Sequence, residues 1–266
     1  MGVPHITSIQ NPLVKDILRL KEKSRERKKS GRFIIEGQRE LELAIKGGYE
    51  LETLIVCPQI SDSSPIQKTV VNTAYLSHQV YEKVAHRGST EGIMAIAKAK
   101  KHDLETLHVR DNPIILVTES LEKPGNIGAL LRTADAADLD AVLVADPKSD
   151  MYNPNIIRSS VGCVFTNQIG LGSTLQVIHF LKTNNIRIFC AALTASKNYT
   201  HVNFSGPTAI VVGAEATGLS QEWLNNADQN IIIPMQGEID SMNVSVSAAI
   251  LIFEAIRQRG FKGYGQ

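Results

Sequence analysis

From residue 113 onward, short apolar runs alternate with segments of helical spacing. PIILVTES (113–120), AVLVAD (141–146), RIFCAAL (187–193), TAIVVG (208–213) and NIIIP (230–234) read as strands apolar on both faces. Between them, Asn126–Ala137, NIIRSSVG (155–162), STLQVIHFLKT (173–183) and SQEWLNNA (220–227) carry the periodicity of helices, and a long final helix is predicted from Val244 to Arg259. Strands buried on both sides and separated by helices predict a parallel sheet covered on both faces. The first hundred residues alternate less regularly. RFIIEG (32–37), LETLIVC (51–57) and EGIMAIAKA (91–99) read as strands, QRELELAIKGG (38–48) as a helix ended by Gly47 and Gly48, and YLSHQVYEKVA (75–85) as a second helix. The polar stretch KKHDLETLHVRDN (100–112) separates the two patterns. The expectation is a smaller α/β domain over residues 1–108 and a larger one over 109–266.

Composition fits an ordinary soluble globular protein: 266 residues, 43% hydrophobic and 21% charged. A net charge of +1 does not by itself flag a nucleic-acid binder, so any such reading rests on where the charge sits. It sits in KDILRLKEKSRERKKSGR (15–32), with nine Lys/Arg against three Asp/Glu. That run is either a solvated helical face or a footprint for phosphates, in which Lys15, Arg19, Lys21, Arg25, Arg27, Lys28, Lys29 and Arg32 would touch backbone without reading sequence. Cys57, Cys163 and Cys190 lie far apart in apolar surroundings and are expected to be reduced core residues. Neither they nor the seven histidines show metal-ligand spacing, so no metal is expected. No apolar run approaches membrane-spanning length and MGVPHITSIQ lacks a signal-peptide core, so a cytoplasmic protein without membrane association is expected.

Three stretches carry the chemistry. PGNIGALLRTADAAD (124–138) sets a glycine-containing turn before a helix with Arg132 on it. VVGAEATGLS (211–220) places Glu215 between glycines at a strand end, and IIIPMQGEIDSMNVSVSAAILIFEAI (231–256) crowds Ser241, Asn243 and Ser245 at the start of an apolar helix. Neither G-x-G-x-x-G nor a GK[ST] phosphate loop is present, which argues against a nicotinamide-dependent oxidoreductase, although Asp146 offers the acidic residue such a fold wants. Polar, glycine-rich turns at three strand ends point to one crevice beyond the sheet. Each residue also has a plain alternative: Asn126 as a helix N-cap, Ser241 and Ser245 as caps, Glu215 as a solvated charge.

Taken in order, PGNIGALLRTADA, IVVGAEATGLS and IPMQGEIDSMNVSVSAAI resemble the motif set of the SpoU branch of SPOUT RNA 2′-O-ribose methyltransferases. RFIIEGQRELELAI and TEGIMAIAK resemble, less specifically, the family's small L30e-like substrate-binding domain. The resemblance implies an α/β fold whose C-terminal domain holds a deep trefoil knot, a homodimer, and S-adenosylmethionine as cofactor. It implies cofactor contacts at Leu193, Thr194, Gly213, Ile233, Met235, Met242, Asn243 and Val244. It assigns catalysis to Asn126, Arg132, Glu215 and Asn243, with Arg132 acting on the hydroxyl either as base or as electrostatic stabiliser, and Glu215 ordering the loops or bracing Arg132. Arg158 and Ser160 fall in an RNA-facing segment. The RNA expected is large-subunit ribosomal RNA, with tRNA or a catalytically inactive RNA-binding protein as alternatives; no DNA partner is expected. Met242 stands where leucine is commoner in the family and Ser247 where alanine is, both changes conservative in size.

Overall fold

The computed structural model describes residues 5–61, 66, 72–86, 91–194, 196–215 and 217–261. They form two compact units, residues up to 101 together with 150–166, and residues 102–149 together with 167 onward.

In the first unit, β1 (His5–Ile6), β4 (Asn72–Leu76) and β3 (Leu51–Val56) run parallel, and β5 (Ile93–Lys98) lies antiparallel between β3 and the edge strand β2 (Arg32–Glu36). Helix α1 (Pro12–Glu22) begins as its sequence dictates, with Asn11 Oδ1 accepting from the Leu13 amide and proline at the first helical position. It buries Val14, Ile17 and Leu20 against Ile34, Ile55, Leu76, Met94 and Ile96. Helix α2 (Ser24–Ser30) stops at Gly31, whose φ of 64° is left-handed. Helices α3 (Gln38–Lys46) and α4 (His78–Val84) complete the unit's main chain before residue 101. The segment YLSHQVYEKVA thus splits: Tyr75 and Leu76 end β4, and only from His78 onward is the chain helical.

Residues 150–166, which include α6 (Pro154–Ser159), belong to this unit because their aromatic side chains are buried in it. Tyr152 stacks on Phe33 with ring centroids 4.1 Å apart, and Phe165 meets Tyr49 edge-on at 5.1 Å. Arg27, 5% exposed, donates from Nε to Asp150 Oδ2 at 2.5 Å and from Nη1 to the Leu20 carbonyl at 2.7 Å. Arg27→Ala leaves the Asp150 carboxylate buried without its charge partner, so urea unfolding of this unit is expected to show a loss of about 3–5 kcal/mol. An unchanged midpoint would mean that the pair contributes nothing.

The second unit is built on a parallel sheet in the order β10 (Lys197–Asn198), β12 (Gln229–Ile232), β9 (Arg187–Ala191), β11 (Thr208–Val212), β6 (Ile114–Glu119), β7 (Ala141–Ala145), β8 (Ile169–Gly172). One face buries Ile115, Val117, Leu143, Ile188 and Val211 with Val177, Leu181 and Trp223 of α7 (Thr174–Thr183) and α8 (Gln221–Asn226). Helices α5 (Pro124–Ala136) and α9 (Val244–Gln258) pack on each other, α9 also against β6 and β11 and α5 against β7. The strand β8, IGLG, was not predicted because its glycines mask the apolar signal. A Cβ on Gly170 would lie 2.7 Å from Leu104 Cδ2, so the glycine makes room for core packing rather than for a turn. The three cysteines are free and buried, as expected.

Strand β6 leads away through β7 to β8 on one side, whereas its other neighbour, β11, enters from later in the chain. The strand order therefore reverses between β6 and β11, and in an open parallel sheet the crevice outside the C-terminal strand ends at that point is where ligands bind.

Candidate active site

The three motif stretches meet at this reversal. Register pairs Thr118 at the end of β6 with Val212 at the end of β11, so the loops that follow both strands leave the sheet side by side. Glu215, three residues beyond β11, accepts a hydrogen bond from Asn126 Nδ2 and forms an ion pair with Lys123. Asn126 Oδ1 in turn accepts from Asn243 Nδ2 at 3.2 Å, and Asn243 Oδ1 accepts from the Ser245 amide at 3.0 Å and its hydroxyl at 2.6 Å. One polar chain, Lys123–Glu215–Asn126–Asn243–Ser245, thus joins all three motifs within the second unit. Its donors and acceptors alternate, so each amide has a fixed orientation.

The geometry sorts the alternatives. Asn126 is not the N-cap of α5; Lys123 holds that position and Asn126 stands in the first turn, its side chain aimed at Glu215 and Asn243. Asn243 is the N-cap of α9, so capping and membership of the polar chain coincide. Ser245 contributes its amide to that cap, and Ser241 bonds only to neighbouring Asp240 among the described residues. Glu215 ties the loops together but forms no hydrogen bond or ion pair with Arg132 among the described residues; Arg132 is exposed on α5. The brace expected between those two side chains is replaced by Lys123, a residue missed because the motif was read from Pro124 onward.

A second residue escaped sequence reasoning. Glu119, the last of β6 and 6% exposed, accepts from the Ser220 amide at 2.7 Å and from Thr174 Oγ1 at 3.2 Å. It fixes the far end of the loop that carries Glu215. Nothing in a strand-terminal glutamate announces that role, because the amide it accepts from lies 101 residues downstream.

The ammonium of Lys123 and, to a smaller degree, the Asn126 amide hold the Glu215 carboxyl below the usual glutamate range. A lowered carboxyl pKa means that the ion pair persists above the ordinary glutamate range and is lost only as pH falls through the lowered value. A carboxyl-carbon NMR titration is expected to place Glu215 below an ordinary glutamate, and Lys123→Ala to move its midpoint upward; an unmoved midpoint would remove Lys123 as the cause.

The residues matched to a cofactor site gather at the same ends of adjacent strands. Leu193 and Thr194 follow β9, Gly213 follows β11, Ile233 and Met235 follow β12, and Met242–Val244 lead into α9. Leu193 is 59% exposed, an apolar side chain left uncovered beside these loops. Gly213 is required sterically: a Cβ there would stand 2.3 Å from the Gly218 carbonyl, where the loop closes through the Gly218 amide to Ala214 O at 2.8 Å. The set offers apolar walls and backbone groups with few polar side chains, which fits an adenosyl cofactor held by main chain. Among the described residues no group of His, Cys, Asp or Glu could hold a metal ion.

The basic run is divided. Lys15, Arg19, Arg25, Lys28 and Lys29 are exposed on the first unit and form no ion pair among the described residues. Lys21 is paired with Glu36 at 2.7 Å, Arg32 with Asp16 at 2.9 Å, and Arg27 is buried on Asp150, so internal carboxylates engage these three of the eight expected phosphate contacts. Arg158 is exposed, but Ser160 is fully buried and donates to the Ile157 carbonyl at 3.0 Å, which makes it a structural residue instead of an RNA contact.

Comparison with known proteins agrees with this geometry. Residues 113–253 match the SpoU rRNA Methylase family and residues 11–95 an MRM3-like substrate binding domain. A 23S rRNA (guanosine(2553)-2′-O)-methyltransferase of Bacillus subtilis is 30% identical over 93% of this chain and 97% of its own length. The crystal structure of an RNA 2′-O ribose methyltransferase superposes with a TM-score of 0.83 at 39% identity, covering 96% of this chain and 99% of its own. An AdoMet-bound rRNA methyltransferase from Sinorhizobium meliloti does so with a TM-score of 0.88 at 25% identity, covering 96% and 97%. The chain belongs to the SpoU family of RNA methylases.

Proposed function

We propose that this protein methylates a ribose 2′-hydroxyl of large-subunit ribosomal RNA with S-adenosylmethionine as donor. The observation that carries the reading is the polar chain through Glu215, Asn126 and Asn243 at the reversal of the parallel sheet, beside loops suited to an adenosyl cofactor. Bound there, the cofactor supplies an electrophilic methyl group on sulfonium. The protein must then hold a weak nucleophile in line and stabilise charge as its proton leaves, and positioning alone supplies a large part of such a barrier. Asn126 and Asn243 orient the polar groups of the crevice, Glu215 and Lys123 fix Asn126, and Arg132 supplies the cation.

Ribosomal RNA is favoured over tRNA by coverage. The 23S rRNA enzyme of B. subtilis matches nearly the whole chain, including the first unit, whereas a TrmH/SpoU tRNA modifying enzyme of A. aeolicus covers 60% of it. The exposed cations of α1 and α2 give that unit a phosphate-binding face. Dimerisation is supported by the outer face of α9, where Val246 and Phe253 are 48% and 40% exposed. A trefoil knot in the C-terminal part, around the second and third motif stretches, and a cytoplasmic location complete the reading. No helix among the described residues is long and apolar enough to cross a membrane. Equilibrium binding separates this from a nucleotide oxidoreductase: S-adenosylhomocysteine is expected to bind and NAD is not, and the opposite result would overturn the assignment.

A further inference from the structure

The first unit contains a cavity of about 380 Å³ that the methyl-transfer site does not use. Its polar wall is Glu36 with its partner Lys21, Glu40, Glu91 and His86, its apolar wall is Ile34, Pro154 and Ile157, and the exposed Arg158 also lines it.

The hydrogen bonds of the polar wall are only partly spent. Glu36 is satisfied, accepting from Lys21 Nζ and from the His86 amide, both at 2.7 Å. Glu91 uses Oε2 for the Gln38 amide at 2.6 Å. Burial, with Glu91 and Glu36 adding to it, pushes the Glu40 carboxyl above its ordinary value. The His86 ring lies with Nε2 3.4 Å from Asn155 Oδ1, and its Nδ1 is buried without a partner among the described residues. The unspent oxygens of Glu40 and Glu91 are acceptors, and a ligand that completes them must bring donors, while Arg158 remains free among the described residues for an anionic group. Carboxylates alone would also suit a metal ion, but no metal-holding group exists among the described residues.

A ligand with donors on one edge, an apolar ring and an anionic group matches the carboxylates, the apolar wall and Arg158 in turn. Single-stranded RNA recognition places splayed bases on apolar or cationic surfaces and reads their edges by hydrogen bonds. Among the four bases only guanine presents two adjacent donors, N1–H and the N2 amino group, the pattern a carboxylate accepts in bidentate fashion. Adenine and cytosine offer one amino group beside an acceptor nitrogen, and uracil one imino group between two carbonyls.

We propose that this cavity receives one unpaired guanine of the RNA substrate, its Watson–Crick edge on Glu40 or Glu91, its ring against Ile34, Pro154 and Ile157, and its phosphate near Arg158. The inference rests on the RNA methyltransferase reading and adds a specificity site to it.

The test is fluorescence anisotropy of the full-length protein with labelled heptauridylate carrying a central guanosine, inosine or adenosine, beside plain heptauridylate. Inosine lacks only the N2 amino group, so guanosine is expected to bind about tenfold more tightly than inosine. In Glu40→Gln and Glu91→Gln that preference is expected to shrink, in at least one to about twofold, with heptauridylate and S-adenosylhomocysteine binding unchanged. Arg158→Ala is expected to weaken all four RNAs by a similar factor. Equal binding of guanosine, inosine and adenosine by the unmodified protein, no binding of any, or a preference intact in both glutamine variants would overturn the proposal. So would displacement of the guanosine oligonucleotide by spermidine but not by guanosine monophosphate, which would assign the cavity to an amine. Methyl transfer to ribosomal RNA is followed in parallel: transfer without a guanine preference defeats the cavity alone, and absence of transfer defeats the parent reading.

Discussion

Arg132→Ala is expected to lower single-turnover methyl transfer by about a hundred- to a thousandfold, with S-adenosylhomocysteine affinity unchanged. The split between rate and cofactor binding follows from where the residue stands. Arg132 is exposed on α5 and takes no part in the Lys123–Glu215–Asn126–Asn243 chain, so removing it leaves that chain intact. It forms no ion pair among the described residues, so its charge is uncommitted until a substrate arrives. A guanidinium stays protonated far above neutral pH, which favours stabilisation of a developing alkoxide over proton abstraction. Arg132→Lys keeps the charge without the planar fork and is expected to recover part of the rate. Equal losses of rate and cofactor affinity in the alanine variant would instead make Arg132 a structural residue of the crevice.

Gly213→Ala is expected to act on the opposite side of that split. The added methyl would fall 2.3 Å from both the carbon and the oxygen of the Gly218 carbonyl, and backbone on both sides leaves no flexible side chain to yield. Overpacking of this kind costs about 1–3 kcal/mol, and the strain would be taken up by the 213–218 loop rather than by the fully buried strand β11. S-adenosylhomocysteine affinity should therefore drop by about ten- to a hundredfold while the thermal unfolding midpoint moves little. Gly125→Ala is the internal control: a Cβ there meets nothing within 4 Å, so the free protein should tolerate it. Unaltered cofactor binding in Gly213→Ala would remove this loop from the cofactor site.

These residues also show how far the sequence could be read. The strand–helix alternation after residue 113 was legible because strands buried on both faces leave unbroken apolar runs, and β6, β7, β9, β11 and β12 all appear where those runs lie. The convergence of the three motifs was legible too, since parallel strands deliver their C-terminal loops to one edge. Strand order was not, because pairing between β6 and β11 depends on packing between segments about ninety residues apart. Charge proved the least legible feature. Arg27 and Arg25 look alike in the basic run, yet one is buried on Asp150 and the other is exposed, a difference set by a carboxylate 123 residues away. Ser160 was misread for the same reason, since an isolated serine gives no sign of burial. The segment 150–166 reads as part of the second pattern and belongs to the first unit because Tyr152 and Phe165 find their stacking partners there.

The central claim is the reaction itself, and the most direct measurement supplies S-adenosylmethionine with a labelled methyl group to the protein with unmodified ribosomal RNA and, separately, tRNA. The RNA is then digested to nucleosides. Label in 2′-O-methylated nucleosides from ribosomal RNA, absent with Arg132→Ala, is the predicted result. Label confined to tRNA, or found on a base instead of a ribose, would contradict the account, as would failure to transfer methyl to either RNA.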